Sequence, residues 1–348
     1  MIQLSCGIVI YNELKYLKNL IPQLKQELEF NEVEWIFILN NESHLVRLEI
    51  AQWLNQQLST ALIFENPSNN LGQARQTILE NAKNNLTYFI DPDVSLKPGS
   101  LIELLRISRN QSNNLIGYGG PLEYQSTNLF LDKTFKFINL ISKFYPFAFQ
   151  MQSHSQPKQV DHLPTCHLLL NRKLALLAGG FSTQFTTCGE DLDFSHRVRA
   201  FNFSFLFCPT APVVHLQNLS LQQWIVKMMT YGRIQIFTQK INLKNGFRFY
   251  RILPLIALVG FGIILIVYPL ITTGLMLIGS TGLILIPGGL GAALTALAYA
   301  LGELFETIAP TFERQNEVVP PAIRYKDPET IFLAKTSICP ALINWETH

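Results

Sequence analysis

Four strand–helix alternations in the first 110 residues constrain this chain more than any other feature. Leu4 to Ile10 is an apolar run that ends at Tyr11-Asn12-Glu13, and Leu17, Leu20, Ile21, Leu24 and Leu28 follow at helical spacing. Glu34 to Leu39 reads as the next strand, closed by Asn40-Asn41, and a helix over 44–58 leads to the strand Ala61 to Phe64. A helix over 73–84 precedes the strand 86–90. Alternation of this kind folds as a mostly parallel sheet with helices on its faces, an α/β domain.

The fourth strand, Tyr88-Phe89-Ile90, runs directly into Asp91-Pro92-Asp93. In an open α/β sheet, ligands bind beyond the carboxyl ends of the strands, where these two aspartates fall. Paired carboxylates can hold a hard divalent cation that keeps phosphate oxygens and water in its other positions. The competing reading is a turn in which Asp91 caps the helix that begins near Leu101. A second acidic cluster, Glu190-Asp191-Leu192-Asp193, opens the helical stretch Phe194 to Arg199. Acids there suit the helix macrodipole, but one of them can also act as a general base opposite a metal–diphosphate. Ahead of it, Gly179-Gly180-Phe181 allows backbone to approach a ligand, or simply ends a helix. Asp193 and Arg197 are spaced to pair on one helix face.

Charged residues make up only 15% of the 348-residue chain, against about 25% in ordinary soluble proteins. The deficit is concentrated in residues 252–302, 51 positions with no acidic, basic or amide side chain. Roughly 20 apolar residues cross a bilayer, so this stretch reads as a hairpin of two spans, about 252–270 and 275–301. Three shorter spans broken at Pro287 are the variant of that reading, and a buried helical hairpin is its soluble counterpart. Residues 221–251 carry Lys227, Arg233, Lys240, Lys244, Arg248 and Arg251 and no acid, which places the N-terminal region in the cytoplasm, at the inner membrane. Leu221, Trp224, Ile225, Met228 and Met229 share one helical face, which fits either a membrane surface or a protein core. Because the basic block adjoins the spans, the expectation is an interfacial segment, with membrane lipid as partner and no nucleic acid. The N-terminus has no signal-peptide pattern. The five scattered cysteines form no C-x-x-C and suit a reducing compartment. The resulting division is 1–220 catalytic, 221–251 interfacial, 252–302 hairpin and 303–348 cytoplasmic tail.

In order, Tyr11-Asn12-Glu13, Gly72-x-Ala74-Arg75, Asp91-Pro92-Asp93, Gly180-Phe181, Gly189-Glu190-Asp191 and Pro212-Val213-Val214-His215 resemble the motifs of family 2 inverting glycosyltransferases, over about residues 2–220. The appended hairpin is similar to that of bacterial succinoglycan-type members. The resemblance implies a GT-A fold, a nucleotide-sugar donor and Mg²⁺ or Mn²⁺. It implies donor contacts from Tyr11, Glu13, Asn40, Gly72, Arg75 and Asp91, and metal ligands in Asp93, Asp91 and His215. Asp191 is then the base, with Glu190 as the other catalytic carboxylate, and Gly180 and Phe181 line the acceptor side.

Two departures shape the expected activity. Asn40 stands where the family usually has an aspartate that accepts a hydrogen bond from the base, and an amide offers both donor and acceptor. The Q-x-x-R-W motif of processive synthases is reduced to Gln222-Gln223-Trp224. The expectation is therefore transfer of one sugar to a lipid-linked saccharide acceptor at the cytoplasmic membrane face. A polyprenyl-phosphate glycosyltransferase and a catalytically inactive, membrane-bound assembly factor are the alternatives.

Overall fold

The computed structural model describes residues 3–11, 13–29, 32–40, 43–66, 68–109, 114–141, 156–242 and 282–308. The expected alternation is present: β1 (Gln3–Ile10), α1 (Leu14–Glu27), β2 (Glu32–Leu39), α2 (His44–Gln57), β3 (Leu62–Glu65), α3 (Leu71–Asn81) and β4 (Leu86–Ile90). β5 (Val94–Leu96) and α4 (Ser100–Ser108) follow, then β6 (Leu115–Gly119), β7 (Leu122–Gln125) and α5 (Leu129–Ile141). β8 (Lys158–Val160), β9 (His167–Asn171), α6 (Arg172–Leu177) and α7 (Glu190–Ala200) lead to β10 (Ser204–Phe207) and β11 (Val213–Leu216). The last described helices are α8 (Leu221–Asn242) and α9 (Gly282–Ile308).

Eight strands form one sheet in the order β3-β2-β1-β4-β9-β6-β10-β8. The half containing β3, β2, β1 and β4 is parallel, whereas β9 runs antiparallel to β4 and β6, and β8 antiparallel to β10. Both faces are apolar. Cys6, Ile8, Phe37 and Leu39 point to the side covered by α1, α2 and α4, through Leu17, Leu20, Leu54 and Leu104. Val9, Ile36 and Ile38 point to the other side, against Ala74 and Ile78 of α3 and Phe194 and Val198 of α7. Burial on both faces explains why these strands read as continuous apolar runs.

A second sheet, β5-β11-β7, has three short strands. Its β5 immediately follows the Asp-Pro-Asp turn, so the element after Asp93 is a strand and Asp91 caps no helix. The N-terminus of α4 is capped instead by Glu27, whose carboxylate accepts from the N–H groups of Gly99, Leu101 and Ile102.

The first expected span, about 252–270, lies outside the described residues. The second is described from Gly282 as part of α9, and this helix packs on α8 and α5. A Cβ at Gly232 would run into the Tyr299 carbonyl, and one at Gly302 into that of Met229, so the backbones of α8 and α9 are nearly in contact. Trp224 Nε1 donates to Thr295 Oγ1 at 2.9 Å. Trp224 and Met228, expected to face lipid, are buried with Leu131, Phe135 and Ala298. That part of the face is covered by protein. Among the described residues, no helix is long and apolar enough to cross a membrane.

Candidate active site

The site grows from the end of β4. Asp91 accepts the Val94 N–H on its carbonyl (3.1 Å), and its own N–H donates to the Cys166 carbonyl (3.3 Å), which fixes the Asp91-Pro92-Asp93 turn against the start of β9. The small sheet brings in the third group. β11 lies antiparallel to β5 with His215 opposite Val94, and the Leu216 N–H donates to the Asp93 carbonyl at 2.8 Å. This register sets His215 Nε2 3.2 Å from Asp93 Oδ1. On its other flank β11 pairs with β7, His215 opposite Tyr124, and the two rings stack with centroids 5.6 Å apart.

Asp91, Asp93 and His215 can each direct one ligand atom into a space where those atoms lie within 4.8 Å of one another. Two hard carboxylates with one imidazole suit Mn²⁺ or Mg²⁺. The imidazole has a further reason to take a ligand, because its Nδ1 is buried without a hydrogen-bond partner. Burial works to raise the Asp93 carboxyl, but His215 and Lys227 outweigh it and hold the group below its ordinary value.

The opposite wall is the first turn of α7. Gly189 enters it with φ +94°, and a Cβ there would strike Ile234. Glu190 is buried and paired with Arg75, whose guanidinium also meets Asp91 at 3.0 Å. Arg75 therefore joins the metal turn to the α7 wall. Asp191 is half-buried, and its Oδ1 accepts the neighbouring Leu192 N–H at 2.7 Å. Burial pushes the Cys166 thiol well up, and the charges of Asp91, Asp93 and Asp191 add to this against Arg75.

Residues 5–176 match the family described as Glycosyl transferase family 2. The match covers just under half of the chain. Mannosyltransferase PcManGT from Pyrobaculum calidifontis, solved in complex with GDP-Man and Mn²⁺, is similar in fold at 12% identity and a TM-score of 0.54, with 88% of this chain and 87% of that chain covered. GalNAc-T7 with UDP, GalNAc and Mn²⁺ aligns at 13% identity and a TM-score of 0.48, over 71% of this chain and 52% of that one. S. aureus TarS aligns at 14% and 0.45, over 70% and 41%. This chain thus spans about half the length of GalNAc-T7 and less of TarS. No curated protein matches it in sequence. The mixed, mostly parallel sheet fits the GT-A fold.

The remaining expected site residues divide. Glu13 folds back to accept the Tyr11 N–H at 2.7 Å, fixing the mouth of the β1 loop. Burial pushes the Tyr11 phenol up, against the pull of the Arg75 charge. Asn40 is fully buried, and its Oδ1 is taken by Asn66 Nδ2 at 2.7 Å. Asn66 Nδ2 also donates to the Asn70 carbonyl (2.8 Å), so the side chain that holds Asn40 Oδ1 is itself anchored.

Gly72 and Phe181 serve packing. A Cβ at Gly72 would meet the Ser182 carbonyl, and the Gly72 N–H donates to the Phe185 carbonyl at 2.9 Å, so this glycine lets α3 dock on the 182–186 loop. The Phe181 ring is 3% exposed and sits between Phe89 and Phe194. Gly180, at φ +59°, sits against the Gln76 amide, and Gln76 Oε1 accepts the Phe181 N–H at 2.8 Å.

Two residues outside the motifs hold the site together. Arg197 pairs with Asp193 at 2.8 Å, as its spacing suggests, and also donates to the carbonyls of Ala178 (2.8 Å) and Gly180 (2.6 Å). It thereby fastens α7 to the Gly179-Gly180 turn. Lys227 of α8 reaches the strand that carries His215, donating to Gln217 Oε1 at 2.7 Å. The i,i+4 spacing signalled the first contact of Arg197, but nothing local in the sequence signals the other contacts.

Proposed function

We propose that this protein transfers one sugar, with inversion, from a nucleotide sugar to a lipid-linked saccharide at the cytoplasmic face of a membrane. The observation that carries the reading is the pairing of two acidic walls through Arg75: a metal-ligating triad on one side and the acidic turn of α7 on the other. Asp91, Asp93 and His215 would hold the divalent cation, which when bound supplies Lewis-acid stabilisation of the diphosphate. That PcManGT was solved with GDP-Man and Mn²⁺ agrees with this assignment.

In this mechanism Asp191 takes the proton from an acceptor hydroxyl, which attacks the anomeric carbon on the face opposite the leaving nucleotide. Glu190 is occupied by Arg75 and positions the turn. Tyr11, whose N–H is held by Glu13, lines the nucleoside side.

The membrane location rests on the uncharged residues 252–302 and the basic residues before them. Two crossings return the C-terminus to the cytoplasm. A reporter fused after His348 and active only on the cytoplasmic side is the expected result, and a C-terminal tag accessible from outside intact cells contradicts it. For the chemistry, the product formed from an α-linked nucleotide sugar carries a β-linkage by NMR. Retention of the anomeric configuration would refute inversion.

A further inference from the structure

Lys227 lies outside the segment that matches the family, on the helix that packs against α9. Its ammonium carries three donors, of which one is spent on Gln217 Oε1 at 2.7 Å. Its other close neighbour is the Tyr231 ring, 5.7 Å from Nζ. Among the described residues it forms no ion pair. A desolvated cation of this kind calls for a compensating anion.

The place where that anion would sit follows from the strand geometry. Gln217 is two residues beyond His215 and therefore on the same side of the chain where it leaves β11. It is 2% exposed, and its N–H donates to the Gln125 carbonyl at 2.7 Å. The intervening Leu216 is bonded to Asp93. Gln217 thus anchors Lys227 next to the triad. Burial pushes the ammonium down, while Asp93 and Asp91, the next largest influences, pull it back up. Once a divalent cation neutralises these carboxylates, Lys227 is left as an uncompensated positive charge beside them.

We propose that Lys227 binds the diphosphate of the nucleotide-sugar donor beside the metal triad and takes up negative charge on the departing nucleoside diphosphate. A lysine acts here as a point charge on phosphate oxygens, pre-placed where charge develops in the transition state. The inference rests on the glycosyltransferase reading above and extends it to α8, so that the helix packed on the C-terminal layer also completes the donor site.

The test is a pair of titrations on the full chain, wild type against Lys227→Met and Lys227→Arg. Mn²⁺ alone is followed by loss of the free-ion electron paramagnetic resonance signal. UDP and GDP are then titrated by calorimetry at saturating Mn²⁺. Removing the cation should tighten Mn²⁺ binding several-fold, because a repulsion is gone, and weaken nucleoside diphosphate binding roughly ten-fold or more. Lys227→Arg should stay near wild type in both. This crossover differs from general damage, which weakens both. If Lys227→Met does not fold, Lys227→Gln carries the same comparison. Unchanged nucleoside diphosphate affinity in the variant, with a wild type that binds UDP or GDP, overturns the role of Lys227 while the glycosyltransferase reading stands. A wild type that binds neither nucleotide overturns both.

Discussion

Arg75 Nη2 lies 3.0 Å from Asp91 Oδ1, at the point where β4 hands the chain to the metal turn. The other terminal nitrogen of the same guanidinium is paired with Glu190, which is 1% exposed. One buried side chain from α3 therefore determines the separation of the two acidic walls. The planar fork of arginine suits such a double contact in a way a lysine cannot.

Removing Arg75 should leave Glu190 buried without its partner. Breaking a buried pair in this way costs about 3–5 kcal/mol. Arg75→Met is expected to lower the unfolding free energy measured in urea by that amount, and Arg75→Met combined with Glu190→Met to recover most of it. A double variant that is as unstable as the sum of two single losses would show that the pair is not the coupled unit described here.

Asp191→Asn should retain nucleotide binding yet lose transfer by about 10²–10⁴-fold, since an amide cannot take the acceptor's proton. Glu190→Gln should act chiefly through the Arg75 contact, with lower stability and displaced donor affinity. Calorimetric nucleotide titrations beside single-turnover rates separate the two. Loss of nucleotide affinity in Asp191→Asn, with its rate constant unchanged, would move Asp191 to the donor side and make Glu190 the base.

His167 supplies a pH signature independent of the active site. It bridges the Tyr88 hydroxyl (2.7 Å) and the Ala211 carbonyl (3.0 Å) in the core, and burial lowers its pKa from 6.5 to about 4. The folded state holds the imidazole neutral while the unfolded chain binds a proton below its ordinary value. Stability from this group is thus complete above about pH 6.5 and is lost progressively down to about pH 4, by roughly 3 kcal/mol. His167→Gln should show a flatter stability profile across that window, measured by urea unfolding at half-unit steps. A variant with the same slope as wild type would assign the acid sensitivity to other groups.

The crossing of α8 and α9 should tolerate no side chain at Gly232, where a Cβ meets the Tyr299 carbonyl. Gly232→Ala is expected to destabilise the protein by about 1–3 kcal/mol, the usual consequence of overpacking. A thermal midpoint equal to wild type would mean that the helices are not packed backbone to backbone.

The parallel half of the sheet was legible because β1, β2 and β4 are buried on both faces and bounded by Asn, Asp or Pro. The Asp91-Pro92-Asp93 turn was legible for the same reason: a carboxylate pair ends an apolar strand. The small sheet was not, since β5, β7 and β11 are three or four residues long and pair across 91 to 121 positions. His215 could be suspected from its place after an apolar run, but its distance to Asp93 depends on that pairing. The helix at 221 was found, and its facing was open: Trp224 and Met228 form an apolar stripe that serves lipid or α9 equally well. Phe181 and Gly72 were read from motif position, whereas their burial depends on how the 182–186 loop docks on α3.

Release of nucleoside diphosphate from a panel of nucleotide sugars, with purified full-length protein and Mn²⁺, tests the central claim most directly when wild type and Asp93→Asn are run side by side. The account predicts that wild type turns over at least one donor, that a chelator abolishes the reaction, and that Asp93→Asn falls to a small fraction of that rate while remaining folded. Turnover by Asp93→Asn equal to wild type at limiting Mn²⁺, or no turnover of any donor by wild type, would contradict it.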